Sequence, residues 1–298
     1  MHFVQTFKSV ASLVAGLALV SPTLAVPVET TQELSQRASS GAKRILLWPW
    51  INTNEVENNI APALKATAST LADSGHFKLV ANWETWHPDE VPKSLAFSPQ
   101  LATRDHFSGE RWNQLMDVLS WQKDAIVQSL NEPDLAGVSA ADAANLWSQL
   151  VNLRKSHGVK LVTPACTSNP ASKDWLSDFM GRVGGDSKPD YLGVHFYTTS
   201  TNSADQEIEY AKNYITEQYN AYKIPVFISE ISSTSRDPAA AKKFIEDMSN
   251  WMDQQDFVFG YGFTGWSRKP ADEFSSPAAQ LLNESGGLTD LGKWLAGV

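Results

Sequence analysis

The chain has 298 residues, 42% hydrophobic and 19% charged, which is enough apolar material for a large core and too little charge for a disordered chain. A formal net charge of −9 argues against nucleic acid or anionic membrane as partners and favours a neutral ligand. One cysteine, Cys166, excludes an internal disulfide framework, so packing must hold the fold, and Cys166 is read as a small buried residue.

Residues 1–25 read as a secretory signal: Lys8 gives a positive start, VASLVAGLALV (10–20) is too short to span a bilayer, and Thr23-Leu24-Ala25 offers a cleavage site. The mature chain is therefore expected outside the cell, beginning near Val26. Residues 26–42 lack periodicity and read as a flexible leader, and 43–298 as a single domain. Within it, eight apolar runs have strand character: 44–50, 77–84, 94–102, 124–132, 159–165, 190–197, 224–230 and 257–263. Amphipathic helices lie between them. Ser139 opens one with capping-box spacing to Asp142, and Leu146, Trp147, Leu150 and Leu153 follow at helical intervals. Asp237-Pro238 opens another, carrying Phe244, Ile245, Met248 and Trp251. This alternation predicts an α/β fold, a single (β/α)8 TIM barrel, with a doubly wound open sheet as the alternative.

In such barrels chemistry sits where strands end. The strand ends here carry Trp48 and Trp50, then Asn82, Trp83 and Glu84, Asn131 and Glu132, His195 and Tyr197, Glu230, and Trp266 just beyond the last. A purely structural rim has no need of two glutamates among so many indoles. Pro133 stops the fourth strand immediately behind Glu132, because proline cannot donate to a ladder. Paired carboxylates across a pocket suit glycosidic cleavage, one acid protonating the leaving oxygen and one anion facing the oxocarbenium-like centre. Aromatic faces suit the C–H-rich side of a sugar ring. Asp134 is expected to cap the loop after Pro133, and Glu84 to hydrogen-bond at the rim.

Other chemistries find no support. Gly260 to Gly265 matches G-x-G-x-x-G, but within the last strand and with no helix following, so its glycines are read as allowing close approach. No zinc-protease, Walker A, Cys/His metal or nucleophile-elbow spacing occurs, and neither metal nor cofactor is expected. Asn283-Glu284-Ser285 is a glycosylation sequon.

SLNEPD, TPACTSNPASKDWL, YLGVHFY, FISEIS and the final aromatic-glycine strand, in that order, make residues 44–298 resemble glycoside hydrolase family 128, which holds retaining β-1,3-glucanases and fungal alkali-sensitive linkage proteins. The resemblance implies Glu132 as acid/base and Glu230 as nucleophile. It implies Asn131 at the sugar 2-hydroxyl, Tyr197 holding the nucleophile, His195 lining the same subsite, and Trp266 as platform under the sugar. Trp83 is added as a further sugar contact. The expected protein is a secreted, monomeric, endo-acting retaining β-1,3-glucanase. The alternative is a β-glucan-binding wall protein on the same barrel with little turnover. Trp48-Pro49-Trp50 and Pro99-Gln100-Leu101 depart from the family pattern where the glucan groove would be shaped.

Overall fold

Parallel strands buried under helices need side chains that are apolar on both faces. RILL at Arg44–Leu47 (β1) and VFISEIS at Val226–Ser232 (β6) are buried along their whole length. The structure is a computed structural model describing residues 43–298 apart from Ser200, so the signal and leader expectations lie outside the described residues. Its other strands are β2 (Phe77–Ala81), β3 (Ile126–Gln128), β4 (Lys160–Val162), β5 (Leu192–Tyr197) and β7 (Val258–Phe263). Helices α1 (Trp50–Glu57), α2 (Ala63–Asp73), α3 (Gly109–Trp121), α4 (Ala140–His157), α5 (Ser172–Arg182), α6 (Ala204–Tyr222), α7 (Pro238–Gln254) and α8 (Asp290–Ala296) alternate with them.

The fold is α/β with parallel pairing throughout its sheets. One sheet has the order β2-β1-β7-β6-β5 and the other pairs β3 with β4. Among the described residues this gives seven strands, not eight. The third expected run, 94–102, makes only isolated parallel bridges, Phe97 to Val80 and Gln100 to Gln128. Pro99 has no N–H to give, although its carbonyl accepts from Gln128 N–H at 2.9 Å. Further parallel bridges join Val162 to Tyr191 and Cys166 to Val194.

The helix starts follow the local chemistry expected of them. Ser139 Oγ accepts from the Asp142 N–H at 3.1 Å, and Asp237 Oδ1 accepts from the Ala239 N–H at 2.9 Å. Trp147, Leu150 and Leu153 of α4 and Phe244, Ile245 and Met248 of α7 face the core. At the strands' N-terminal side, buried Arg44 donates from Nε to Tyr261 Oη at 3.2 Å and lies 3.5 Å from Asp253, tying β1 to β7 and α7. Cys166 is buried, and burial pushes its thiol pKa well up, which suits an inert core residue. No helix among the described residues is long and apolar enough to cross a membrane.

Candidate active site

Strand register puts the first functional pair together. His195 of β5 is the register partner of Glu230 of β6, and Tyr197 lies two residues beyond His195 on the same face. Phe196, between them, points the other way and packs on Tyr214 and Phe244 under α6 and α7. Glu132 follows β3, with its N–H donating to Ala165 O at 2.8 Å, and its own carbonyl accepts from Leu135 and Ala136. Its φ of +41° is in the left-handed region, sparsely used by non-glycine residues and enriched at functional sites. These side chains meet at a cavity of about 710 Å³, lined by Glu132, Glu230, Tyr197 and Trp83.

Glu230 is only 6% exposed, so its charge must be met by donors. Tyr197 Oη donates to Oε2 at 2.5 Å and Trp83 Nε1 to Oε1 at 2.5 Å. His195 Nδ1 lies 3.0 Å from Glu132 Oε1, while its Nε2 is 3.6 Å from Glu230 Oε1. One oxygen of each glutamate and one His195 nitrogen lie within 4.8 Å of one another. Those atoms have the spacing of cation ligands. Glu230, however, already accepts indole and phenol donors that a cation would displace, so the arrangement suits acid–base work.

Burial alone would lower the His195 pKa. The charge of Glu230, then the hydrogen bond and charge of Glu132, outweigh it and raise the pKa above the ordinary value. Burial and then the Glu230 charge push the Tyr197 hydroxyl far up, so it remains a donor. Burial also opposes ionisation of Asp134, but hydrogen bonds from Ser172, Thr167 Oγ1 and the Thr167 N–H hold its pKa below the usual range. Asp134, expected to cap the loop after Pro133, instead uses these hydrogen bonds to clamp the turn carrying Asn169, another cavity residue. Glu84, expected to hydrogen-bond at the rim, instead stands off the cavity and makes an ion pair with Arg111 at 3.0 Å.

The other expected sugar contacts divide. Asn131 bridges to Ala165 beside Glu132 and receives Gln100 Nε2 at 3.4 Å, without lining the cavity. Trp266 is a correction. It is 1% exposed and absent from the cavity wall, its ring set edge-on to Phe77 at 5.5 Å. The cause is Gly265, whose φ of +109° turns the chain, while Asn52 Nδ2 fixes Trp266 O at 2.7 Å. Trp48 is buried as well, its indole donating to Glu90 at 2.6 Å. The aromatic walls come instead from Trp50, 47% exposed, Trp83, and Phe274, whose ring centre is 5.2 Å from that of Tyr197. Sequence reasoning passed over Phe274, although a lone phenylalanine in the polar stretch ADEFSSP was an available signal.

Known proteins share this fold. The profile of the family described as glycosyl hydrolase catalytic core matches residues 59–295. A glycoside hydrolase family 128 (subgroup VI) exo-β-1,3-glucanase of Aureobasidium namibiae shares 32% identity with the chain over 86% of it and 96% of the relative, at a TM-score of 0.76. The chain belongs to glycoside hydrolase family 128. Within that family it is also similar to a subgroup IV endo-β-1,3-glucanase of Lentinula edodes, at 25% identity, 86% and 99% coverage and a TM-score of 0.67. A subgroup I enzyme of Amycolatopsis mediterranei crystallised with laminarihexaose shares the fold at 20% identity, 78% and 95% coverage and a TM-score of 0.63. No curated protein matches the chain.

Two measurements check this site. Trp266→Ala should cost about 3–5 kcal/mol in urea unfolding, as for other large aromatic truncations in a core. Trp50→Ala should stay within about 0.5 kcal/mol of the parent. A neutral Trp266→Ala would return that indole to the sugar-platform role. Titration of His195 by NMR should give a pKa above 6.5, falling in Glu230→Gln as the largest raising influence is removed. Its stabilising contribution should be complete below the unfolded value and be lost as pH rises through the raised folded one. A His195 pKa unmoved by Glu230→Gln would contradict the coupling.

Proposed function

We propose that this family member is a secreted β-1,3-glucanase that hydrolyses with retention through Glu132 and Glu230. The observation carrying this is the close pair of carboxylates at one cavity, with oxygens within 4.8 Å of each other. Retaining glycosidases hold their carboxyl groups about 5–5.5 Å apart, and inverting ones leave a wider gap for water. The substrate class is supported by two relatives at 25% identity or more, both β-1,3-glucanases.

In the first step a Glu230 oxygen attacks the anomeric carbon while Glu132 gives its proton to the departing glycosidic oxygen. In the second, Glu132 takes a proton from water, whose oxygen attacks the same carbon and expels Glu230. Tyr197 and Trp83 keep the nucleophile oriented throughout. Asn131 is assigned to the sugar 2-hydroxyl, and His195, buried behind the cavity wall rather than lining the subsite as expected, to holding Glu132 in place.

The proposal extends to architecture. The bridges of Phe97 and Gln100 to β2 and β3, of Val162 to Tyr191 just before β5 and of Cys166 to β5, support the 97–100 segment as the missing strand of a closed (β/α)8 barrel. Endo attack is kept as the reading because Trp50, Leu135 and Phe274 all stand exposed along the cavity mouth, offering apolar surface to an internal stretch of glucan. The protein is read as a monomer.

Laminarin should release reducing ends as a ladder of oligomers, whereas β-1,4- and β-1,6-glucans should not be cut. One short product from the chain end would replace endo with exo action, and binding without release would make the protein a wall lectin. With an activated aryl β-glucoside and azide, Glu132→Ala should yield the β-azide and Glu230→Ala the α-azide. The reverse pairing would exchange the two roles. N-terminal sequencing of secreted material should begin near Val26, and an intact Met1 would refute the signal reading.

A further inference from the structure

One of the two short hydrogen bonds to Glu230 comes from a residue whose backbone is strained. Trp83 follows β2 with φ +62°. The left-handed region is disfavoured for a bulky residue, so neighbouring contacts must impose it. They do so from behind the cavity. Asn82 closes the turn on itself, with Oδ1 accepting from Glu84 N–H at 3.1 Å and Nδ2 donating to Trp86 O at 2.9 Å. The Glu84 carbonyl accepts from Gln100 N–H at 2.9 Å, and Thr85 Oγ1 donates to Gln114 Oε1 at 3.0 Å. The Glu84 carboxylate meets Arg111 at 3.0 Å. Arg111 and Gln114 belong to α3, and neither lines the cavity.

The indole has a competitor. Glu230 Oε1 accepts from Trp83 at 2.5 Å, while His195 Nε2 waits 3.6 Å away with no hydrogen-bond partner. Without the indole N–H, Oε1 still faces His195 Nε2 at 3.6 Å, a donor when the imidazole is protonated, and turning toward it would draw the carboxylate out of line with the sugar. We propose that Trp83 is a positioning residue that holds Glu230 off His195, and that Arg111 of α3, through its ion pair with Glu84, braces the turn from which Trp83 does so. This rests on reading Glu230 as the nucleophile, and it replaces the sugar-contact role expected of Trp83.

The test compares Trp83→Phe, Arg111→Ala and Arg111→Lys with the parent, each first checked for an unchanged circular dichroism spectrum. On laminarin, Trp83→Phe should lower kcat about 10–100-fold, as misplacement of a reacting group does, with KM changed less than about threefold. Arg111→Ala should lower kcat in the same sense by about 3–10-fold, and Arg111→Lys should restore most of it. A raised KM with unchanged kcat in Trp83→Phe would make Trp83 a sugar platform and overturn the proposal. Two further readouts need no turnover. The Trp83 indole N–H resonance, assigned by its loss in Trp83→Phe, should lie downfield and move in Glu230→Gln. The His195 pKa should rise further in Trp83→Phe as Oε1 closes on Nε2. An indole resonance indifferent to Glu230→Gln would refute the contact even if every glucan were left uncut, an outcome that would instead sink the functional reading.

Discussion

A carboxylate almost wholly withdrawn from water is the constraint around which this molecule is arranged. An unpaired buried anion costs several kcal/mol even after relaxation, and Glu230 avoids that cost through neutral donors from two other strand ends. Neutral donors matter chemically. They satisfy the oxygens without the full charge neutralisation that would blunt a nucleophile. The one group here that gains positive charge readily, His195, has its hydrogen bond with Glu132 instead. Strand pairing supplies this geometry, because a shift in the β5–β6 register between Val194 and His195 sets His195 opposite Glu230 and brings Tyr197 to the same face.

Where register does not suffice, the backbone is bent. Trp83 and Glu132 have positive φ, and both sit just past a strand at the cavity. Each is backed by polar clamps: the Glu84–Arg111 pair behind the first, and the Asp134–Thr167–Ser172 cluster behind the second. Strain is tolerated there because several independent contacts specify the same conformation.

Much of this was legible in the sequence. The strand and helix order, the capping at Ser139 and Asp237, and the gathering of Glu132, His195, Tyr197 and Glu230 all follow from local pattern and strand-end position. The third expected strand, 94–102, was overstated because its apolar character survives while only isolated bridges form on either side of Pro99. Trp266 was misplaced because strand-end position says nothing about which way a chain leaves a left-handed glycine. The exchange of Trp266 for Phe274 and Trp50 as exposed aromatics is a loop property, and loops follow contacts distant in sequence. Trp83 was found by position, but its bond to Glu230 depends on a φ that no periodicity encodes.

The pairing of β1 with β7 has a consequence for biosynthesis. Arg44, near the start of the described body, is the register partner of Tyr261 and donates to its hydroxyl, so the first strand, already paired with β2 on one side, finds its second neighbour only after more than two hundred further residues have been made. The cavity wall likewise combines Leu47 and Trp50 with Ala279 and Gln280. During synthesis the early strands must wait with an open edge, and such late, long-range closure is slow and exposes nascent chain to aggregation. Competence for catalysis is thus deferred until the chain is nearly finished, and a ribosome-bound fragment lacking its last strand would have Glu230 on an unpaired edge and no completed pocket.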